Sequence, residues 1–312
     1  MSRGSPPPRQ SSRAPLRDAA PLLIVALVLA GAAYFAYSRG TWRLEHEEVS
    51  EYSHIRVRRK GPLRALRFVR DSGREVTETQ IDLRAPHRLE LPYARSMFAS
   101  YLVVPDPQRV LIVGLGGGAM VHFLRHHDPE IEIDAVEIDP AVVAIADRFF
   151  DVRSDALTHI HTEDAFDFLN RTTDPYDVIY MDAFLKPSAG TDASGAPARL
   201  RSLRFYESLR ERVTPDGAIA FNLTTHDGTE DDIDVIREAF PGSVVYRCPP
   251  ARNLVVIAPI ATDADGASAA EPEIRKRADT LDGRFGAAFS FHDLLDARRL
   301  GSPVRDRDPG GG

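Results

Sequence analysis

Apolar and polar positions along this 312-residue chain change their period several times, and each change marks a different kind of segment. Residues 1–18 are rich in Pro, Ser and Arg and carry no apolar period, which predicts a disordered basic tail. From Ala19 to Tyr37 no charged residue appears. At ~1.5 Å per residue that run covers a hydrocarbon core, so residues 19–37 are expected to form one transmembrane anchor. A cleaved signal peptide is the rival reading, because A-G-A-A offers small residues. Tyr34, Phe35 and Tyr37 instead extend the run as an interfacial aromatic pattern, which favours the anchor.

Within residues 44–90, Ile55–Arg59, Leu63–Val69 and Glu75–Ile81 alternate or carry β-branched residues between Gly and Pro breaks, predicting a small antiparallel β unit. Residues 91–262 read differently. Strands are expected at Arg109–Val113, Ile133–Glu137, His159–His161 and Val178–Met181, with helices near 119–127, 140–150, 165–170 and 202–213. Further strands follow at Ala218–Asn222, Ser243–Tyr246 and Leu254–Ala258. This alternation predicts an α/β domain whose mainly parallel sheet is covered on both faces and binds ligand at the carboxyl ends of its strands. Residues 263–312 begin with a hydrophilic break and are expected to add short helices at Pro272–Leu281 and His292–Leu300 before a frayed tail.

Composition removes several classes. One cysteine, Cys248, closes no intrachain disulfide and anchors no thiolate cluster. Residues 1–43 hold six Arg and one Asp, a balance of +5 that leaves −12 on the rest of a chain of net charge −7. A body that acidic is not expected to bind nucleic acid. Four Arg before the span and two after it put the body outside the cytoplasm by the positive-inside rule. The chemistry below needs a cytoplasmic ligand, so the side stays open.

Unusual polar residues stand at the ends of four consecutive predicted strands. R-V-L-I-V-G-L-G-G-G-A-M places Gly114, Gly116, Gly117 and Gly118 between a strand and a helix, either as a purely structural turn or as one that admits ligand close to the backbone. Glu137 ends the next strand, 19 residues after Gly118, either as an exposed strand-end acid or as a carboxylate that accepts both ribose hydroxyls of a nucleoside. Asp164 precedes a helix, either as its N-cap or as an acceptor for an adenine amino group. Asp182 ends Y-D-V-I-Y-M-D, where a reactive ligand atom would lie. Jointly they predict an adenosyl ligand.

These segments resemble the polyamine aminopropyltransferases, spermidine synthase and its relatives, over roughly residues 48–260. S-E-Y-S-H-I-R-V is similar to the family's opening S-x-Y-Q-x-I-x-V, T-Q-I-D-L to its strand-borne glutamine, and L-P-Y-A-R-S-M to its tyrosine-bearing helix. V-L-I-V-G-L-G-G-G resembles its glycine turn, V-E-I-D its ribose-binding acid, E-D-A-F-D-F-L its adenine segment, and Y-D-V-I-Y-M-D-A-F the strand bearing its base. The resemblance implies a Rossmann-like, methyltransferase-type sheet. It also implies decarboxylated S-adenosylmethionine or methylthioadenosine held by Gln80, Gly114, Gly116, Gly118, Glu137, Asp164 and Ala165, with Asp182 as base and Tyr93 assisting. No metal is expected, the acceptor is a small-molecule amine, and a homodimer is compatible with this reading.

The pattern also departs from the family. The turn aspartate falls at Gly117, the second aspartate of D-S-S-D-P falls at Leu185, and Ala94 stands where glutamine follows the tyrosine. Those family groups hold or orient the amine, so a polyamine acceptor loses support. D-A-F is similar to a divergent, spermidine synthase-like branch in which membrane segments are frequent. Two alternatives are kept: a methyltransferase using S-adenosylmethionine itself, and a noncatalytic nucleoside-binding domain. Lys186 is read as a solvated loop residue, His122, His126 and His127 as a polar outer face, and Asn222 and His226 as either substrate contacts or turn residues.

Overall fold

The computed structural model describes residues 40–184, 195, 197–261, 271–286 and 288–298. The expected tail, the 19–37 anchor, Leu185 and Lys186 lie outside the described residues, among which no helix is long and apolar enough to cross a membrane.

The small β unit has four strands, not three: β1 (Arg43–Val49), β2 (His54–Lys60), β3 (Leu63–Val69) and β4 (Glu75–Asp82), paired antiparallel in chain order. The added strand β1 is R-L-E-H-E-E-V, so polar that it shows no alternation, and its Leu44 and Val49 stay exposed. Such an edge strand is found through its pairing with β2, not through burial. Trp42 lies under the Arg67 guanidinium at 4.5 Å, so the folded body begins ahead of residue 43. One face of the unit buries Ile55, Val57, Leu66 and Ile81. Across its strands Arg56, Arg58 and Arg67 converge on Glu75 and hold that carboxyl down at about 2.

The larger sheet has the order β10-β11-β9-β8-β5-β6-β7. Its strands are β5 (Arg109–Val113), β6 (Glu132–Glu137), β7 (Thr158–Thr162), β8 (Tyr176–Met181), β9 (Val213–Thr224), β10 (Val244–Arg247) and β11 (Asn253–Pro259). Strands β5 to β9 run parallel, and β11 lies antiparallel between β9 and β10. Alternate residues of β5 face opposite layers: Val110 and Ile112 join one apolar core, Leu111 and Val113 the other.

Helices α1 (Pro92–Met97), α2 (Ala119–His127), α3 (Pro140–Phe150), α4 (Ala165–Arg171) and α5 (Leu203–Leu209) follow the expected positions, with α5 shorter than 202–213. Helix α6 (Thr229–Ala239) was not expected. Its sequence T-E-D-D-I-D-V-I-R-E-A is strongly acidic, and only Ile233, Ile236 and Ala239 mark the buried stripe. At the C-terminus, α7 (Glu271–Phe285) and α8 (Phe291–Asp296) complete the first core. Arg277 of α7 donates to the Leu102 carbonyl at 3.0 Å, and Arg284 pairs with the buried Asp128.

The two units meet where the ligand end of the sheet faces β4. Thr79 Oγ1 of β4 accepts the Gly117 N–H at 2.9 Å, and Ser50, between β1 and β2, donates to Asp139 at 2.5 Å. The β unit therefore walls the carboxyl ends of the parallel strands.

Candidate active site

A cavity of about 460 Å³ opens at those strand ends, within the size range of small-molecule sites. The chain enters it from β5 through Gly114, whose φ of +97° lies in the left-handed region. A Cβ there would stand 2.3 Å from the Asp182 carbonyl oxygen, so β5 and β8 approach each other only because residue 114 has no side chain. Gly114→Ala is expected to lower the unfolding midpoint sharply, with about 1–3 kcal/mol from the backbone alone. Gly283→Ala, a helical position whose Cβ would meet nothing within 4 Å, is the control and should be neutral or slightly stabilising in the same thermal melt.

Gly116 also lines the cavity, at φ +54°. Gly118 does not: at φ +69° it begins α2, and a Cβ would strike Val152. Gly118 is therefore placed at the start of α2 against Val152 and off the cavity lining. Gly117 faces Phe150 and Thr79, where a Cβ would come within 2.9 Å of each. An aspartate placed there would enter that apolar contact and not the amine side of the cavity.

Glu137 ends β6 and is 9% exposed. Its two oxygens accept the Leu115 and Asp139 N–H groups, both at 3.0 Å. Burial pushes the carboxyl up, and these amides pull it back. A carboxylate has about four acceptor positions. Leu115 and Asp139 use two and the Gly116 N–H draws on a third, which leaves one toward the cavity for a ribose hydroxyl. Asp164 fulfils the N-cap alternative, accepting the Phe166 N–H at 2.8 Å, and its other oxygen pairs with Arg199. Asp164 and Ala165 both line the cavity, so contact with an adenine amino group requires Arg199 to share Asp164.

Gln80 does not line the main cavity, which its neighbours Glu78 and Thr79 border. It borders a smaller recess beside it, shared with Glu78, Thr79, Tyr93 and Asp182.

Asp182 follows β8, which delivers it to the cavity. Asn222 of β9 donates to its Oδ1 at 2.6 Å, and the Tyr93 hydroxyl lies 3.3 Å from its Oδ2 and 2.9 Å from the Glu78 carbonyl. Asn253 donates to Asn222 Oδ1 at 2.8 Å, which turns the Asn222 NH2 toward Asp182. Burial raises Asp182 to about 7, more than Asn222 and Tyr93 lower it. Tyr93 is pushed well above its ordinary value by burial and the two acids, so it remains a donor. Asn222 thereby has a site position; His226, paired with Asp232 at 2.8 Å in the turn before α6, borders the adjoining cleft.

Glu78 was not singled out by the sequence. It lies beside Asp182 on the cavity wall, is raised to about 7 by burial, and its Oε1 has no hydrogen-bond partner among the described residues. Its strand E-V-T-E-T-Q-I-D carries three acids, Glu75, Glu78 and Asp82, and a strand acid by itself reads as solvent-facing, so nothing local set Glu78 apart.

His126 stacks on His87 at 3.6 Å, and His127 packs on Phe123 and Phe285, with burial lowering it to about 4. The outer-face reading therefore holds for His126 and fails for His127, which α7 covers. No group of metal-ligating side chains forms among the described residues.

Residues 96–250 match the spermine/spermidine synthase domain. The chain belongs to the spermine/spermidine synthase family. It is 31% identical over 204 residues to the polyamine aminopropyltransferase of Vibrio vulnificus, covering 64% of this chain and 65% of that protein. The Chromobacterium violaceum protein of the same name is 28% identical over 243 residues, covering 77% and 88%. The Bos taurus eEF1A lysine and N-terminal methyltransferase is 32% identical over 154 residues, 47% of this chain and 22% of that protein. Human methyltransferase-like protein 13, solved in complex with SAH, superposes with a TM-score of 0.57 at 26% identity, covering 62% of this chain and 92% of that one. A spermidine synthase bound to the transition-state analogue AdoDATO gives a TM-score of 0.60 at 16% identity over 83% and 85%, a likeness of fold. The proteins that this chain resembles thus include both polyamine aminopropyltransferases and a methyltransferase.

Proposed function

We propose that this protein transfers the aminopropyl group of decarboxylated S-adenosylmethionine to an amine. The supporting observation is Asp182, buried at about 7 against Tyr93, Asn222 and Glu78, on the wall of a cavity that also carries Gly114, Gly116 and Glu137. In this reading Glu137 accepts a ribose hydroxyl, the glycine turn lets the nucleoside lie against the backbone, and Asp164 and Ala165 border the base. Residues 19–37 would tether the body to a membrane.

The reaction requires a neutral amine, whereas a free alkylammonium titrates near ~10. Asp182 attracts the ammonium, accepts its proton, and leaves the nitrogen lone pair to attack the carbon next to the sulfonium. The carbon–sulfur bond breaks as the carbon–nitrogen bond forms, and neutral methylthioadenosine departs. A carboxylate at about 7 is a better proton acceptor than one in its usual range. Tyr93 and Asn222 hold Asp182 in position by donating to separate oxygens.

The second reading, a methyltransferase, is favoured by the likeness to the eEF1A lysine and N-terminal methyltransferase. Calorimetry with decarboxylated S-adenosylmethionine, S-adenosylmethionine and methylthioadenosine separates the readings. Preference for the decarboxylated form supports aminopropyl transfer, and preference for the carboxylated form moves the assignment to methyl transfer. Binding of none would leave a domain without this chemistry.

The acid pair also sets a pH dependence. Burial raises both Glu78 and Asp182 to about 7, with Asp182 adding to the rise of Glu78 and Glu137 to that of Asp182. Turnover with a fixed acceptor is expected to rise as pH passes from 6 to 8. Folding stability moves the opposite way: an acid whose folded pKa is raised stabilises below its unfolded value and loses that contribution as pH climbs through the folded one. Denaturant melts at pH 5 and pH 8 should therefore show the lower stability at pH 8, and Asp182→Asn should narrow the gap.

A further inference from the structure

Past Tyr93 and Asn222 the nucleoside cavity gives way to a wider cleft of about 780 Å³. Its floor and rim differ in charge. Glu78, Tyr93 and Asn222 form the floor, and the last two are the groups bonded to Asp182. The Glu78 side chain is only 17% exposed, and its Oε1 lies 3.8 Å from the Arg70 guanidinium, an ion pair too long for a hydrogen bond, so the oxygen has no hydrogen-bond donor among the described residues. An ammonium at closer range would supply that donor.

The rim is built by two hairpin turns. The β3–β4 turn brings Arg70 and Arg74, and the β10–β11 turn brings Arg252, against a single acid on the rim, Asp71. Arg70 is engaged, 3.8 Å from Glu78. Arg74 and Arg252 are exposed and form no ion pair with a carboxylate among the described residues. Opposite charges thus stand at the two ends of one cleft.

Resting on the transferase reading, we propose that the acceptor is an amine carrying an anionic group, a carboxylate or a phosphate, at its far end. The amine enters the floor, where Glu78 and Asp182 attract it, and the anion reaches Arg74 and Arg252 at the rim. Guanidinium forks form strong charge-assisted bonds to such anions. A diamine would set its second ammonium against the same guanidiniums, a repulsion that selects against it.

Putrescine, γ-aminobutyrate and aminopropylphosphonate share nearly one length and differ in the far group, so they separate the terms. Each is titrated by calorimetry into the full-length protein saturated with methylthioadenosine, or with S-adenosylhomocysteine if only that nucleoside binds. One of the two anionic amines should bind about tenfold more tightly than putrescine, the equivalent of one bond to a charged group. Whether γ-aminobutyrate or aminopropylphosphonate leads distinguishes carboxylate from phosphate. The pair Arg74→Ala with Arg252→Ala should erase that preference while nucleoside affinity and melting temperature stay unchanged, since both side chains are exposed. Putrescine binding as tightly as the anionic amines, absence of any preference, or a preference that survives the double variant overturns the proposal and leaves the transferase reading intact. Failure of every nucleoside to bind overturns the reading itself, and the acceptor proposal with it.

Discussion

Asp182→Asn is expected to cut turnover by about 10²–10⁴-fold, the range for loss of a positioned general base, while nucleoside affinity stays within about twofold. The two effects separate because Asp182 touches the cavity from β8 whereas Glu137, the proposed nucleoside anchor, stands on β6. An asparagine keeps the local fold. Its carbonyl oxygen still accepts from the Asn222 amide, and its NH2 can donate to the Tyr93 hydroxyl oxygen, so neither partner is orphaned. What the variant lacks is a group that takes a proton. Single-turnover kinetics with a saturating donor would show the loss in the chemical step, and the rise in rate through neutral pH should flatten. Full turnover in this variant would exclude Asp182 as the base and pass the role to Glu78, which has a similar pKa and lines the same cavity.

A removal of Tyr93 should have a smaller effect than that of Asp182. Its hydroxyl shares one proton between the Glu78 carbonyl and Asp182, so it places the base and does not replace it. The geometry separates residues that hold a base from the base itself, a distinction that a motif alone does not carry.

Strands β5 through β8 and helices α2 and α3 were legible because each is a strongly periodic segment bounded by glycine, proline or an Asx cap. Asp139, for example, accepts the Ala141 N–H and is followed by Pro140, a start signal visible in I-D-P-A. Strand β1 and helix α6 were not legible, since their polar faces outweigh their buried ones and their stability comes from pairing with β2 and packing on β11. Residues expected at the site divide in the same way. Glu137, Asp164 and Asp182 follow from strand-end position, which the parallel sheet converts directly into a shared cavity. Gln80 and Glu78 lie on the β unit, and which of β4's side chains reaches the cavity depends on how two separate sheets meet. Thr79 bonding to Gly117 fixes that meeting, and a hydrogen bond between residues 38 apart leaves no local pattern.

Substitution at Glu137 is expected to give the largest loss of nucleoside binding, and the choice of residue decides what is learned. Alanine would remove the acceptor of the Leu115 and Asp139 amides together, and two buried N–H groups without partners cost about 1–3 kcal/mol each in folding. A weakened ligand would then be confounded with a loosened glycine turn, since Leu115 sits between Gly114 and Gly116. Glu137→Gln retains one carbonyl oxygen for a backbone amide and removes the charge that ribose hydroxyls would favour. Its cost to nucleoside binding should be about 1.5–3 kcal/mol, the range for hydrogen bonds to a charged group, read as a ten- to hundredfold rise in the calorimetric Kd for methylthioadenosine. A deoxygenated ligand completes the argument. With 2′,3′-dideoxy-methylthioadenosine the wild-type protein should bind as weakly as the variant, and the variant should show little further loss, because both changes delete the same interaction. Losses that instead add in full would mean that Glu137 braces the turn without meeting the ribose, and the nucleoside would then have to be held by the glycine backbone and the Asp164–Ala165 segment alone.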